Sequence, residues 1–136
     1  MKFTIREKRL RAIKRIAEVL FDHWEEERDG HTRTFEILVP DEFVIDGQSV
    51  KGGNYREHVV PCATIRAGCK EMYANGASIA DVTKMIDKYL RIVLITPEEA
   101  KHLDQALGLK TVMPSGWVFG DGDPLERLKV AGIVLS

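Results

Sequence analysis

"RIVLITPEEAKHLDQAL", residues 91–107, sets the frame for the rest of the chain. Its first five residues are an arginine and four branched aliphatics, a short apolar run that suits a buried strand. Helix-start chemistry follows at once. Thr96 stands as N-cap, Pro97 at the first helical position and Glu99 at the third, the pattern of a capping box. The stretch predicts a strand over 91–95 and a helix over 97–106.

Working upstream, residues 62–75 and 78–90 predict two helices joined by Asn75-Gly76, with Gly76 in a left-handed C′ position. Ser78 and Asp81 form a second capping pair, and Val82, Met85, Ile86 and Leu90 give that helix an apolar face. Residues 30–61 read as strands. "RTFEILVP" (33–40) alternates Phe35, Ile37 and Val39 on one face. "EFVIDGQSV" (42–50) places Asp46-Gly47 between two apolar runs, which predicts a hairpin. "NYREHVVPC" (54–62) ends a strand-like run on Glu57-His58, ahead of two valines and a proline. Residues 3–28, free of Gly and Pro, predict one long amphipathic helix within a segment 1–29. Downstream, 107–136 predict a loop around "MPSGWVFGDGD" (113–123) and a C-terminal helix opened by Asp123 as cap, Pro124 and Glu126. The expectation is an α+β fold in a single domain over 1–136, with a small antiparallel hairpin region before the helices of 62–106.

Composition narrows the class. With 44% hydrophobic and 30% charged residues the chain suits a globular core, not a disordered segment. No apolar run is long enough for a membrane span, and the charged N-terminus lacks the apolar core of a signal peptide. The expected compartment is the cytoplasm. Cys62 and Cys69 have neither a CxxC nor a zinc-finger spacing, so they are expected as reduced helix residues. Asp121 and Asp123 fall short of a calcium loop. His23 and His31 belong to no motif.

Charge in the first helix is polarised. Lys2, Arg6, Lys8, Arg9, Arg11, Lys14 and Arg15 fill its first half; Glu18, Asp22, Glu25, Glu26, Glu27 and Asp29 follow. This order opposes the helix dipole, which favours acids first and bases last. Three explanations stand open. It is a solvated face; or its basic end, with Arg6, Arg9 and Lys14, meets phosphates of a nucleic acid or an acidic partner; or two such helices pair antiparallel in a twofold homodimer.

"REHVVP" (56–61) resembles the "(D/E)H-apolar-apolar-P" opening of HNH endonucleases. "LRIVLITPEEAKHLD" (90–104) resembles the closing half of that motif, where a strand leads into a helix. The resemblance implies a ββα-metal unit with two helices inserted between its strands. It further implies Glu57 as ligand of a divalent metal, Mg²⁺ or Mn²⁺, and His58 as general base on the attacking water. The family's orienting Asn falls near Arg91 and its helix His on Ala100, so Asp104 and His102 are the residues left to complete the metal set.

Two functions follow as expectations. The first is a small binding or inhibitor protein, of the anti-CRISPR or immunity kind carried by phages and mobile elements, by analogy of size and style. It would present Glu25, Glu26 and Glu27, or the Trp117 loop, to a basic or apolar patch on a host protein. The alternative is a metal-dependent HNH-type endonuclease using His58 and Glu57.

Overall fold

The computed structural model describes residues 2–136. Helix α1, Ile5–Glu25, opens with a reciprocal capping box between Thr4 and Glu7. Its stripe of Ala12, Ile13, Ile16, Ala17 and Leu20 is buried against α3, Cys62–Ala74, and α4, Ile79–Tyr89. Those two helices also pack on each other. This apolar stripe of α1 is therefore consumed within the chain, and the outer surface of the helix is mainly charged, with Ile5 and Leu10 exposed near its start. Among the described residues, no helix is long and apolar enough to cross a membrane.

The basic start of α1 is anchored rather than free. Arg6 forms a two-pronged pair with Asp87 of α4 at 3.0 and 2.9 Å. Arg9, nearly buried, donates to the same carboxylate at 3.0 Å and to the Asp87 carbonyl at 3.1 Å. Charged hydrogen bonds of this kind contribute about 1.5–3 kcal/mol. Asp87→Ala is expected to destabilise the fold by about 2 kcal/mol on this account. Urea denaturation checks it; a loss below about 0.5 kcal/mol would mean that the two arginines do not pin α1 to α4.

Three short strands form one sheet in the order β1-β3-β2, with β1 at Ile45–Gln48, β2 at Tyr55–His58 and β3 at Ile92–Ile95. β2 runs antiparallel to β3, with Glu57 opposite Val93 and His58 opposite Ile92. β1 runs parallel to β3. Helix α5, Pro97–Lys101, leaves β3 through the expected Thr96–Glu99 capping box and widens into a π-helical turn over His102–Ala106. A single buried cluster draws residues from the helices and the sheet alike. The fold is α+β, with the antiparallel pair, the two helices between its strands and the following helix all in the expected order.

Three expectations are corrected. "RTFEILVP" is not a strand but helix α2, Arg33–Leu38. Phe35 and Val39 lie four residues apart, a spacing common to both patterns, and both are buried. Ile37 separates the two cases: a strand would bury it beside them, and it is 75% exposed. His31, without a motif, helps start this helix, its Nδ1 accepting from the Arg33 N–H at 3.0 Å.

Asp46-Gly47 makes no hairpin. It lies inside β1 at an irregularity in the pairing with β3, a place where a glycine within a strand is common. The strand that pairs with β1 comes from the far side of the helical insertion, and Asp46 faces Arg91 there at 3.3 Å, an ion pair without hydrogen-bond geometry. Residues 49–54 instead carry the chain from one sheet edge to the other, across the end of β3.

The C-terminal helix α6, Glu126–Val130, begins later than expected. Asp123 caps the turn before it, accepting from the Leu125 N–H at 2.9 Å, and its carboxylate also engages Lys129.

Candidate functional site

The site named by the sequence is the end of β2. Successive strand residues point to opposite faces of a sheet, so neighbours such as Glu57 and His58 share a ligand only across a distorted backbone. Their pairing with β3 is regular through both residues. Their surroundings accordingly differ. Glu57 reaches Arg127 of α6 at 2.8 Å and feels the charge of Asp104. His58 lies among the charges of Asp41 and Glu36, from the segment around α2, and feels the charge of Arg127 more weakly.

Arg127 is the residue that sequence reading missed. It is 1% exposed. Its guanidinium donates to the Glu57 carboxylate, to the His58 carbonyl and, at 2.6 Å, to the Leu109 carbonyl. One cation thereby ties α6, β2 and the chain after the π turn together. A Leu-Glu-Arg-Leu run looks like an ordinary amphipathic turn, and nothing in it marks the arginine as internal.

Burial raises the Glu57 carboxyl above its ordinary value, against the pull of Arg127 and with help from Asp104. Its exposed fraction is 12%, and its charge is answered by a guanidinium rather than left open for a cation. Among the described residues, no group of three or more His, Cys, Asp or Glu side chains is placed to hold a metal ion. Glu57, Asp104 and His102 therefore do not form the metal set the resemblance implies. His102 is exposed beside Lys51, Glu98 and Glu99, on an open hollow at the start of α5. The residues present do not fit Mg²⁺ or Mn²⁺ at this point.

Burial also lowers His58, with Asp41 and Glu36 opposing the shift. Cys62, at the start of α3 and under the same two acids, is pushed up to about 12, chiefly by burial. Its thiol stays protonated at neutral pH and is no nucleophile. The lowered histidine has a measurable consequence. The unfolded chain, with an ordinary value of 6.5, takes up the proton before the folded one. Stability should thus decline as pH falls below about 6.5. Glu57 acts with the opposite sign nearer pH 4.5, because its raised value makes the folded state the better proton binder there. His58→Gln is expected to flatten the slope of unfolding free energy between about pH 6.5 and the onset of carboxylate titration. Parallel slopes for the two proteins would remove His58 as the source.

The other named residues are dispersed. Arg6 and Arg9 are engaged by Asp87, while Lys14 stands exposed on the outer face of α1. Glu25, Glu26 and Glu27 are all exposed at the far end of that helix. Glu26 pairs with Arg28 at 2.9 Å; Glu25 and Glu27 have no ion-pair partner among the described residues.

Glu27 holds a positive φ of 56°, the left-handed position that closes a helix and that glycine usually fills. The closing bonds are the paired set expected there, from Arg28 N–H to the His23 carbonyl and from Glu27 N–H to the Trp24 carbonyl.

Trp117 is half-buried. Its indole N–H donates to the Asp123 carbonyl at 2.9 Å, and its ring packs edge-on to Tyr89 at 5.3 Å. Phe119 fills the gap left by Gly68 on α3. These aromatics cover the core, and Trp117 also walls an open groove beside α6. Compared with protein-family models, with curated proteins and with solved structures, the chain matches none.

Proposed function

We propose that the chain is a binding protein of the inhibitor type, built on an HNH-like ββα scaffold, that docks its acidic α1 terminus onto a basic surface of a partner protein. The antiparallel β2–β3 pair followed by α5 supports the scaffold. The division of Glu57 from His58, with Glu57 held by Arg127, speaks against the nuclease alternative.

The observation that carries the reading is Glu27. Three choices at this end of α1 work against stability. Acids occupy the helix C-terminus, where the dipole favours bases. Three glutamates stand consecutively, and like charges repel. The left-handed closing residue is a glutamate, where a non-glycine residue costs about 1–2 kcal/mol. The closing bonds account for the backbone angle but not for the residue: a glutamate kept where glycine would be more stable, with its carboxylate exposed and free of any ion-pair partner among the described residues, supports a role in binding.

Glu27→Gly is therefore expected to stabilise the fold by about 1 kcal/mol in urea denaturation. Affinity capture from cells that carry the gene tests the binding itself. Wild type and His58→Ala should retain the same basic partner, and Glu25→Lys/Glu26→Lys/Glu27→Gly should lose it while melting no lower. Capture that survives the triple change, or is lost with His58→Ala alone, would overturn this reading.

A further inference from the structure

The loop before α6 carries a second surface, independent of α1. It is held rigid from beneath. The Tyr89 hydroxyl donates to the Gly122 carbonyl at 2.9 Å and accepts from the Gly120 N–H at 3.0 Å. Lys88 donates to the Gly120 carbonyl at 2.6 Å, and the Gly122 N–H closes onto the Val118 carbonyl at 2.7 Å. Gly122 lies so close under Trp117 that a Cβ there would overlap the indole. Two valines nevertheless stay outside here, Val118 of the loop and Val130 of α6. Val118 is 58% exposed and Val130 51%, and both line one open groove of about 440 Å³ with Pro114 and Trp117. Ligand grooves fall in this size range and combine apolar walls with a few placed polar groups.

The charged groups that line this groove are of one sign. Asp121, Asp123 and Glu126 line it. Asp123 is engaged by Lys129, whereas Asp121 and Glu126 form no ion pair among the described residues. Lys129 and Lys88 are the bases whose charge Asp123 feels, Lys129 also faces Glu126, and neither lysine lines the groove. An occupant must bring an apolar stem and a positive head.

We propose that this groove takes an arginine side chain of a partner protein. Its stem would lie along Val118 and Val130, and its guanidinium would sit between the Trp117 ring and the carboxylates of Asp121 and Glu126. Arginine suits the place better than lysine, because its planar, weakly hydrated head stacks on aromatic rings and meets carboxylates with several donors. The rigid loop keeps the ordering cost of binding low.

The test is a titration of the ¹⁵N-labelled full chain with the blocked peptide acetyl-Leu-Arg-Leu-amide and with its citrulline counterpart, which keeps the shape and loses the charge. The arginine peptide is expected to shift the Trp117 indole and Val118 amide signals saturably, and the citrulline peptide to bind at least tenfold more weakly. Asp121→Asn/Glu126→Gln should weaken the arginine peptide at least tenfold without lowering the melting temperature. Equal response to both peptides, absence of saturable shifts at these signals, or shifts confined to Glu25–Glu27 would each overturn the proposal. None of these results bears on capture through the α1 terminus, so the two readings fail separately.

Discussion

Arg127→Met should destabilise the protein by about 3–5 kcal/mol, the range found when one member of a buried ion pair is removed. The shape of the side chain is largely kept, so the effect reads the charge and its hydrogen bonds rather than a cavity. Glu57 would be left buried without its counter-ion, and the carbonyls of His58 and Leu109 without their donor. Unsatisfied groups of this kind add to the loss. The double variant Glu57→Leu/Arg127→Met removes both charges together and is expected to recover part of the stability, since buried pairs replaced by apolar residues are often neutral. Recovery should be incomplete, because the two carbonyls stay unpaired. Urea denaturation of the four proteins measures the cycle. A single-variant loss under about 1 kcal/mol would show that Arg127 is not the tie between α6 and β2.

A loss of about 3 kcal/mol or more is expected from Gly53→Ala, beside a control at Gly52→Ala near 1 kcal/mol. Both glycines hold a positive φ, 83° at Gly52 and 98° at Gly53, so both substitutions meet backbone strain. They differ in what surrounds them. Gly52 has open space, whereas a Cβ on Gly53 would overlap the Ile95 carbonyl and lie 2.5 Å from Thr96 N. The cause is the strand order. The chain leaves β1 on one edge and must reach β2 on the other, so it passes against the backbone at the end of β3. Backbone cannot turn aside as a flexible side chain can. The crossing would lift, and β2, with Glu57 and its tie to Arg127, would lose its register. Equal losses at the two positions would mean that strain alone acts and that the crossing is loose.

Much of this architecture could be read from residue order, and the failures have definite causes. The capping chemistry at Thr96 and Ser78 and the uninterrupted stripe of α1 are local signals, and they placed these helix ends within about three residues. The segment 33–39 failed because Phe35 and Val39 satisfy both periods, leaving Ile37 to decide by an exposure that only the fold sets. Asp46-Gly47 failed because a turn signal competes with pairing partners that arrive late in the chain, here β3.

At the candidate site the limits were sharper. Strand alternation alone warned that Glu57 and His58 diverge. Arg127 lies seventy residues beyond Glu57, and Asp87 far beyond Arg6 and Arg9, in runs that look like plain helix surface. Long-range pairs between charged residues leave no local pattern. The basic half of α1 therefore looked available, when two of its arginines were already committed inside the fold. The acidic half did keep its promise of an exposed cluster, and only the backbone angle at Glu27 revealed that the cluster is also strained.

The central claim is that Glu57 serves Arg127 and not a metal. Thermal melting of wild type and Glu57→Gln, each with and without millimolar Mn²⁺, tests it most directly. The pairing predicts that Mn²⁺ shifts neither protein, and that Glu57→Gln, which removes a charge that burial already disfavours, melts within a few degrees of wild type. A wild-type melting point raised by Mn²⁺, with the rise lost in Glu57→Gln, would contradict the account and restore Glu57 as a metal ligand.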